Sequence, residues 1–332
     1  MLSSCKHSTE PLIQQPDSTS HNFLWRIDTL GDGNSSVLYD VAIINDTLAY
    51  AVGDISVRDS TGSFRLPPYN LARWNGKRWE LSTLIQSGFG YEENYSIVAF
   101  GPDDIWIAGT VPKHWDGSRW KVYGLSGDYT GGFRIRAIGG MSSRDLYCSG
   151  DGGNLRHFDG SAWHVVQSGT TAQIQDIWAG SNLLVGSDVA LMTAADKFAA
   201  SDRKILRARQ GGVVDTIAWR AELQRPVHSV WFDNRSDIFV SGTGVFSYDV
   251  KAWTEKNDVP FFFTNRIRGN SPQDIIVVGD VGIVSHYSGS SWRTYPELML
   301  PVDQYTSVAI KGNNVIAVGI NGGKAVVIVG KR

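Results

Sequence analysis

The 332-residue chain sets 31 Lys and Arg against 33 Asp and Glu, a formal net charge of -2 with no long basic run, which leaves no electrostatic footprint for nucleic acid. Its apolar stretches are strand-sized, well short of the roughly 20 residues that a membrane-spanning helix needs. Thirty-six Gly, 12 Trp, 12 Tyr and 13 Phe beside only 19% charged residues describe many short aromatic strands joined by tight turns, an all-β chain rather than a disordered or helical one.

Residues 1–21 are polar, carry Pro11 and Pro16, and read as a flexible tether; residues 22–332 read as the folded unit. Phe23-Leu24-Trp25-Arg26-Ile27 is a strand pattern. Further along, a unit recurs in which Asp opens an alternating strand that ends in Gly: Asp104 to Gly109, Asp145 to Gly150, Asp237 to Gly242 and Asp274 to Gly279. Weaker copies end at Gly53, Gly186 and Gly319, so seven copies predict seven blades of a β-propeller. A second short strand precedes each, near Tyr39, Ser96, Arg134, Ile174, Val227, Thr264 and Thr306, and these are the expected innermost strands. Their spacing mostly matches the ~40 to 45 residues of a four-stranded blade. A tight turn then leads to a Trp, as in Gly76 to Trp79, Gly117 to Trp120, Gly160 to Trp163 and Gly289 to Trp292, and these Trp residues are expected to pack between blades. The last copy ends in Lys324 to Val329 with three strands, so the strand at Trp25 is expected to complete it and close the ring.

The unit Asp104-Ile105-Trp106-Ile107-Ala108-Gly109 with His114-Trp115-Asp116-Gly117-Ser118-Arg119-Trp120 resembles the repeats of bacterial secreted lipoprotein propellers, many of unknown function. It is distantly similar to photosystem II assembly-factor-like and Asp-box propellers. The Asp116 to Trp120 spacing is one residue shorter than the Asp-box pattern, which argues against sialidase-type chemistry. Leu2-Ser3-Ser4-Cys5 resembles a lipobox, although no charged and apolar segment stands before it. That resemblance implies lipidation at Cys5 and a place in the bacterial cell envelope, periplasmic or outer-surface. The other thiol, Cys148, falls inside an apolar strand, so no structural disulfide is expected.

No nucleophile elbow, zinc helix, P-loop or dinucleotide turn occurs, and no cofactor is expected. His114, His157 and His286 recur at one repeat position, which a radial fold keeps apart, so they read as structure rather than a metal site. Asp54, Asp151 and Asp280 follow strand-ending Gly residues and either bond their own turns or form a ring for a cation. Asp40, Arg136, Asp176 and Arg266 align among Ile97, Ser229 and Ser307 on the inner strands and suggest inter-blade ion pairs, with Arg134 and Arg268 adding charge for an anion.

The binding surface is expected on the loops that lead from one blade's outer strand to the next blade's inner strand. Tyr91, Tyr95, Tyr129, Phe133 and Phe262, with Arg134 and Arg266, are the candidate ligand contacts, and the insertion from Ser56 to Tyr69 should project from the same face. The leading expectation is a monomeric, non-enzymatic module that engages a glycan or a protein partner. The competing one is a glycoside hydrolase or lyase using carboxylates such as Glu92, Glu93 or Asp128.

Overall fold

The computed structural model describes residues 19–86, 90–125, 134–195, 203–209, 212–219, 225–235, 237–248, 251–259 and 261–332. Cys5, Asp128, Tyr129 and Phe133 lie outside the described residues. Seven four-stranded antiparallel sheets form, and a two-stranded ribbon pairs Ile85–Gln86 with Gly90–Tyr91. The innermost strands are Val37–Asn45, Ser96–Gly101, Ile135–Ser142, Ile174–Asn182, Val227–Phe232, Thr264–Ser271 and Gln304–Lys311. Each contacts the next, and the last contacts the first, so the sheets close as a ring: a seven-bladed β-propeller.

Turn chemistry sets the outer half of each blade. Asn75, Asp116 and Asp159 accept backbone N–H bonds from two and three residues on, and Gly76, Gly117 and Gly160 follow them at φ of 87°, 87° and 92°. The turn places aromatic residues directly opposite one another on the flanking strands. Trp74 faces Trp79, Trp115 faces Trp120, Phe158 faces Trp163, Tyr248 faces Trp253 and Tyr287 faces Trp292, with ring centroids 5.1 to 5.7 Å apart.

The strand-ending glycines answer to a close backbone approach. A Cβ at Gly53, Gly279 or Gly319 would stand 2.1 Å from the carbonyl oxygen of Val37, Phe263 or Gln304. Replacing Gly279 with Ala must therefore push two strands apart and is expected to cost about 1–3 kcal/mol. Gly101→Ala, where a Cβ meets nothing within 4 Å, should stay within about 0.5 kcal/mol; urea denaturation of the two variants checks the contrast. Blade four departs from the expected pattern. Its second strand does not end at Gly186 but starts there and runs to Ala195, with Ala194 opposite Ile174 where five other blades carry Gly. Gly186, at φ 112°, belongs to a turn in which Asn182 Oδ1 accepts the Leu184 N–H at 2.8 Å.

Blades two, three and six share a stitch in which the Asp opening the second strand accepts from a His on the third. His114 Nε2 reaches Asp104 at 2.8 Å, His157 reaches Asp145 at 2.7 Å and His286 reaches Asp274 at 2.9 Å. Asp104 also accepts from Ser143 of blade three, whose oxygen takes the Trp106 indole N–H at 3.2 Å, so this stitch crosses blades.

Blade seven consists of Gln304–Lys311, Asn314–Asn321, Lys324–Lys331 and the N-terminal strand Leu24–Leu30, whose seven residues pair with Ala325 through Lys331. A strap before it is fixed to blade six: the Thr19 N–H donates to Ser288 O at 3.0 Å and the Tyr295 hydroxyl donates to His21 O at 2.7 Å. His286, fully buried, meets His21 Nδ1 to Nδ1 at 2.8 Å, while Arg332 grips Asp274 with two guanidinium nitrogens. Burial works against the Asp274 carboxylate, but bonds from His286, Arg332 and Asn270 outweigh it and hold that group at about 2. Two ring nitrogens in contact need one proton and one lone pair, so both rings cannot be imidazolium. Burial, then His286 and Arg293, hold His21 below its usual value. A depressed folded value means stability present above about 6.5 and lost as pH falls below it. Hydrogen-exchange protection over residues 19–23, taken relative to the intrinsic rate at each pH, should fall between pH 7 and 5, and His21→Asn should flatten that response.

Candidate functional site

Six inner strands carry one extra residue near their start: Tyr39, Arg136, Gln175, His228, Asn265 and Thr306 each fall between ladder partners. The next residue then begins the axial set of Asp40, Ala137, Asp176, Ser229, Arg266 and Ser307, with Ser96 in blade two. This corrects the repeat alignment, which puts Arg136 and Ile97 in that layer; the bulge moves Arg136 to the mouth, where it pairs with Asp151 at 2.9 Å.

The axial set stitches neighbouring blades through backbone and side chain together. Asp40 Oδ2 accepts the Ile97 N–H at 3.0 Å and Ser96 Oγ at 2.9 Å, and Ser96 Oγ accepts the Ile138 N–H at 3.1 Å. Across the ring, Asp176 accepts the Val230 N–H at 3.1 Å and Ser229 Oγ accepts the Ile267 N–H at 3.1 Å. Arg268 reaches the two Asp176 oxygens at 2.8 and 2.9 Å, Arg266 forms a short bond to the same carboxylate, and Arg266 lies 3.6 Å from Asp40. Burial would raise the Asp176 carboxyl, but Arg266 and Arg268 hold it well below the usual carboxylate range. Arg266 thus spends its charge inside the ring. Below this layer the axis opens into a cavity of about 320 Å3, whose lining includes Ile43, Val98, Phe100, Trp178 and Ile310.

Above the layer is the mouth. Tyr39 and Tyr95 stand with ring centroids 4.9 Å apart at 50°, the Tyr91 hydroxyl donates to Asp54 at 3.0 Å, and the Tyr95 hydroxyl donates to Glu93. The Arg134 guanidinium lies 5.0 Å from the Tyr95 ring centre. Burial, then the charges of Glu93 and Asp54, push the Tyr39 hydroxyl up to about 12. Burial also raises Asp54, the Tyr91 bond pulls it back, and Glu93 raises it further. The rim continues through Gln173 to Asp151 at 2.9 Å, His228 to the Asn265 carbonyl at 2.8 Å, and Asn265 to Gln304 at 2.9 Å.

The expected contacts therefore divide. Tyr91, Tyr95 and Arg134 converge on one side of the mouth; Phe262 sits on the loop into blade six, 40% exposed beside Phe261; Arg266 is buried in the layer beneath. Neither Asp54, Asp151 nor Asp280 simply caps its own turn, since the first takes the Tyr91 hydroxyl, the second Arg136 and Gln173, and the third the Asn265 amide at 3.4 Å. Among the described residues no three His, Cys, Asp or Glu side chains meet as a metal would require. Glu92 has both oxygens engaged, one by Thr110 and one by buried Lys113 at 3.0 Å. Tyr39 is the mouth residue that period-two reading misses, because a bulge carries no composition signal.

Fold and axis together define a closed seven-bladed β-propeller with a charged layer across its channel and a tyrosine-lined mouth on the loop face. Among solved structures the chain is similar to YCF48 bound to a D1 peptide, at 13% identity and TM-score 0.66 over 96% of this chain and 100% of that one. It is also similar to the WD40 β-propeller domain of Doa1, at 15% identity and TM-score 0.65 over 94% and 98%, and to YCF48 from Cyanidioschyzon merolae, at 12% and 0.61 over 92% and 98%. No family model and no curated protein sequence matches the chain.

Proposed function

We propose that the chain is a non-catalytic binding module that takes a segment of a partner protein across the tyrosine-lined mouth. The observation that carries this reading is the fixed set of Tyr39, Tyr91 and Tyr95, where carboxylates hold two of the hydroxyls and leave little side-chain freedom to be lost on binding. The same face exposes Leu66 at 84%, Phe261 at 67% and Val302 at 84%, which suits the apolar contacts of a protein interface. The peptide held by the similar YCF48 structure supports a polypeptide rather than a glycan.

In this reading, lipidation at Cys5 would hold the module at the cell envelope. Thr19 is bonded to Gln273 and Ser288 on the turns of the opposite face, away from the mouth. Affinity capture from envelope extracts with the full chain tests the proposal. A partner should be enriched by the parent and by Leu183→Ser on the opposite face, and lost at least ten-fold with Tyr39→Ala/Tyr95→Ala. Equal enrichment by all three would overturn it, and mouth-dependent retention of a polysaccharide would move the reading to a glycan.

A further inference from the structure

We infer that the side of the mouth between blades one and two is a receptor for a cation, the arginine or lysine side chain of the partner segment. This rests on the mouth being a protein-binding surface and names the chemistry of what enters it. Tyr39 and Tyr95 form a tilted pair 4.9 Å apart, and faces of aromatic rings attract cations. Two carboxylates back them: Asp54 accepts from Tyr91 and Glu93 accepts from Tyr95, so each is bonded by a neutral phenol. Among the described residues neither carboxylate has an ion pair, whereas Arg136, the next cation along the rim, is neutralised by Asp151 at 2.9 Å.

The chain itself shows what such a site accepts. Arg134, exposed and in no ion pair among the described residues, lays its guanidinium 5.0 Å from the Tyr95 ring centre. It is a stand-in for the ligand, tethered to the adjoining inner strand and free to swing into solvent when a partner's side chain arrives. The charge balance agrees: Asp54 and Glu93 together exceed Arg134 by one negative charge, and Asp54 is raised by burial and by Glu93, a disposition that a bound cation would relieve.

The role of Arg134 makes the test decide by sign. Capped ten-residue serine–glycine peptides carrying three arginines, three lysines, three citrullines or three glutamates are titrated calorimetrically into the full chain at physiological ionic strength. The parent should bind the arginine peptide at least ten-fold more tightly than the citrulline peptide. Arg134→Ala, which removes the internal competitor, should tighten that binding roughly three-fold to ten-fold. Asp54→Asn, nearly isosteric, should weaken it roughly ten-fold, with thermal unfolding confirming that both variants are folded. If Arg134→Ala instead loses binding and the glutamate peptide binds the parent better, Arg134 is a contact for anions and the inference is wrong. If no peptide binds although capture of a partner still depends on Tyr39 and Tyr95, the inference fails while the protein-binding reading stands; if that capture is also unchanged, both fail.

Discussion

Asp176→Asn is expected to cost about 3–5 kcal/mol of folding stability, the range measured when one partner of a buried ion pair is removed. The side chain keeps its size, but both carboxylate oxygens accept from donors alone, so an amide nitrogen in place of either one loses its bonds and the charge goes with them. Arg266 and Arg268 have side chains only 8% and 14% exposed, and without Asp176 they face each other with Asp40 alone, 3.6 Å from Arg266. Two buried guanidiniums of like sign in a confined ring have no inexpensive way to regain solvation. Ser229→Ala, which removes a neutral donor to the same carboxylate, should cost nearer 1 kcal/mol. Because Asp176 is held below its unfolded value, its contribution is full above about 3.9 and is lost as pH falls below that. Urea unfolding followed by tryptophan fluorescence at pH 7 reads both variants, and a loss under about 0.5 kcal/mol for Asp176→Asn would show that the layer is solvated in solution.

Deleting residues 1–30 is expected to make the protein aggregate. The deletion strips Lys324–Lys331 of the seven ladder partners on its outer side and leaves Ala325 to Val329, an uncharged run rich in Val and Ile, as an open edge. It also removes Phe23, 7% exposed and stacked 5.2 Å from Trp25, and uncovers Tyr295, which both rings pack against. Size-exclusion chromatography should place the truncated chain in the void volume, and a synthetic peptide of residues 19–32 added during refolding should recover the elution volume of the parent. A monodisperse truncated chain with unchanged melting would show that blade seven is stable with three strands.

Much of this architecture is legible in the sequence because it is written in local chemistry. Period-two alternation marks the strands, Asp-Gly and Asn-Gly turns mark the outer hairpins, and the missing fourth strand of blade seven points to the spare one at Trp25. What escapes is what depends on backbone irregularity or distant partners. One bulged residue shifts the axial layer, so Ser96 and Ala137, rather than Ile97 and Arg136, stand with Asp40 and Asp176. Blade four hides its strand end because Ala194 replaces the glycine, and Gly186 in a turn resembles one. The mouth pairs residues such as Asp54 and Tyr91 across 37 positions of chain, and no spacing rule connects them.

The most direct measurement is photo-crosslinking in the source cells with benzoylphenylalanine at position 262 on the mouth face and, separately, at position 183 on the opposite face, both exposed at 40% or more in the parent. Binding through the mouth predicts a discrete protein adduct at 262 that Tyr39→Ala/Tyr95→Ala abolishes, and none at 183. An adduct at 183 alone, or one at 262 indifferent to the tyrosines, would contradict it.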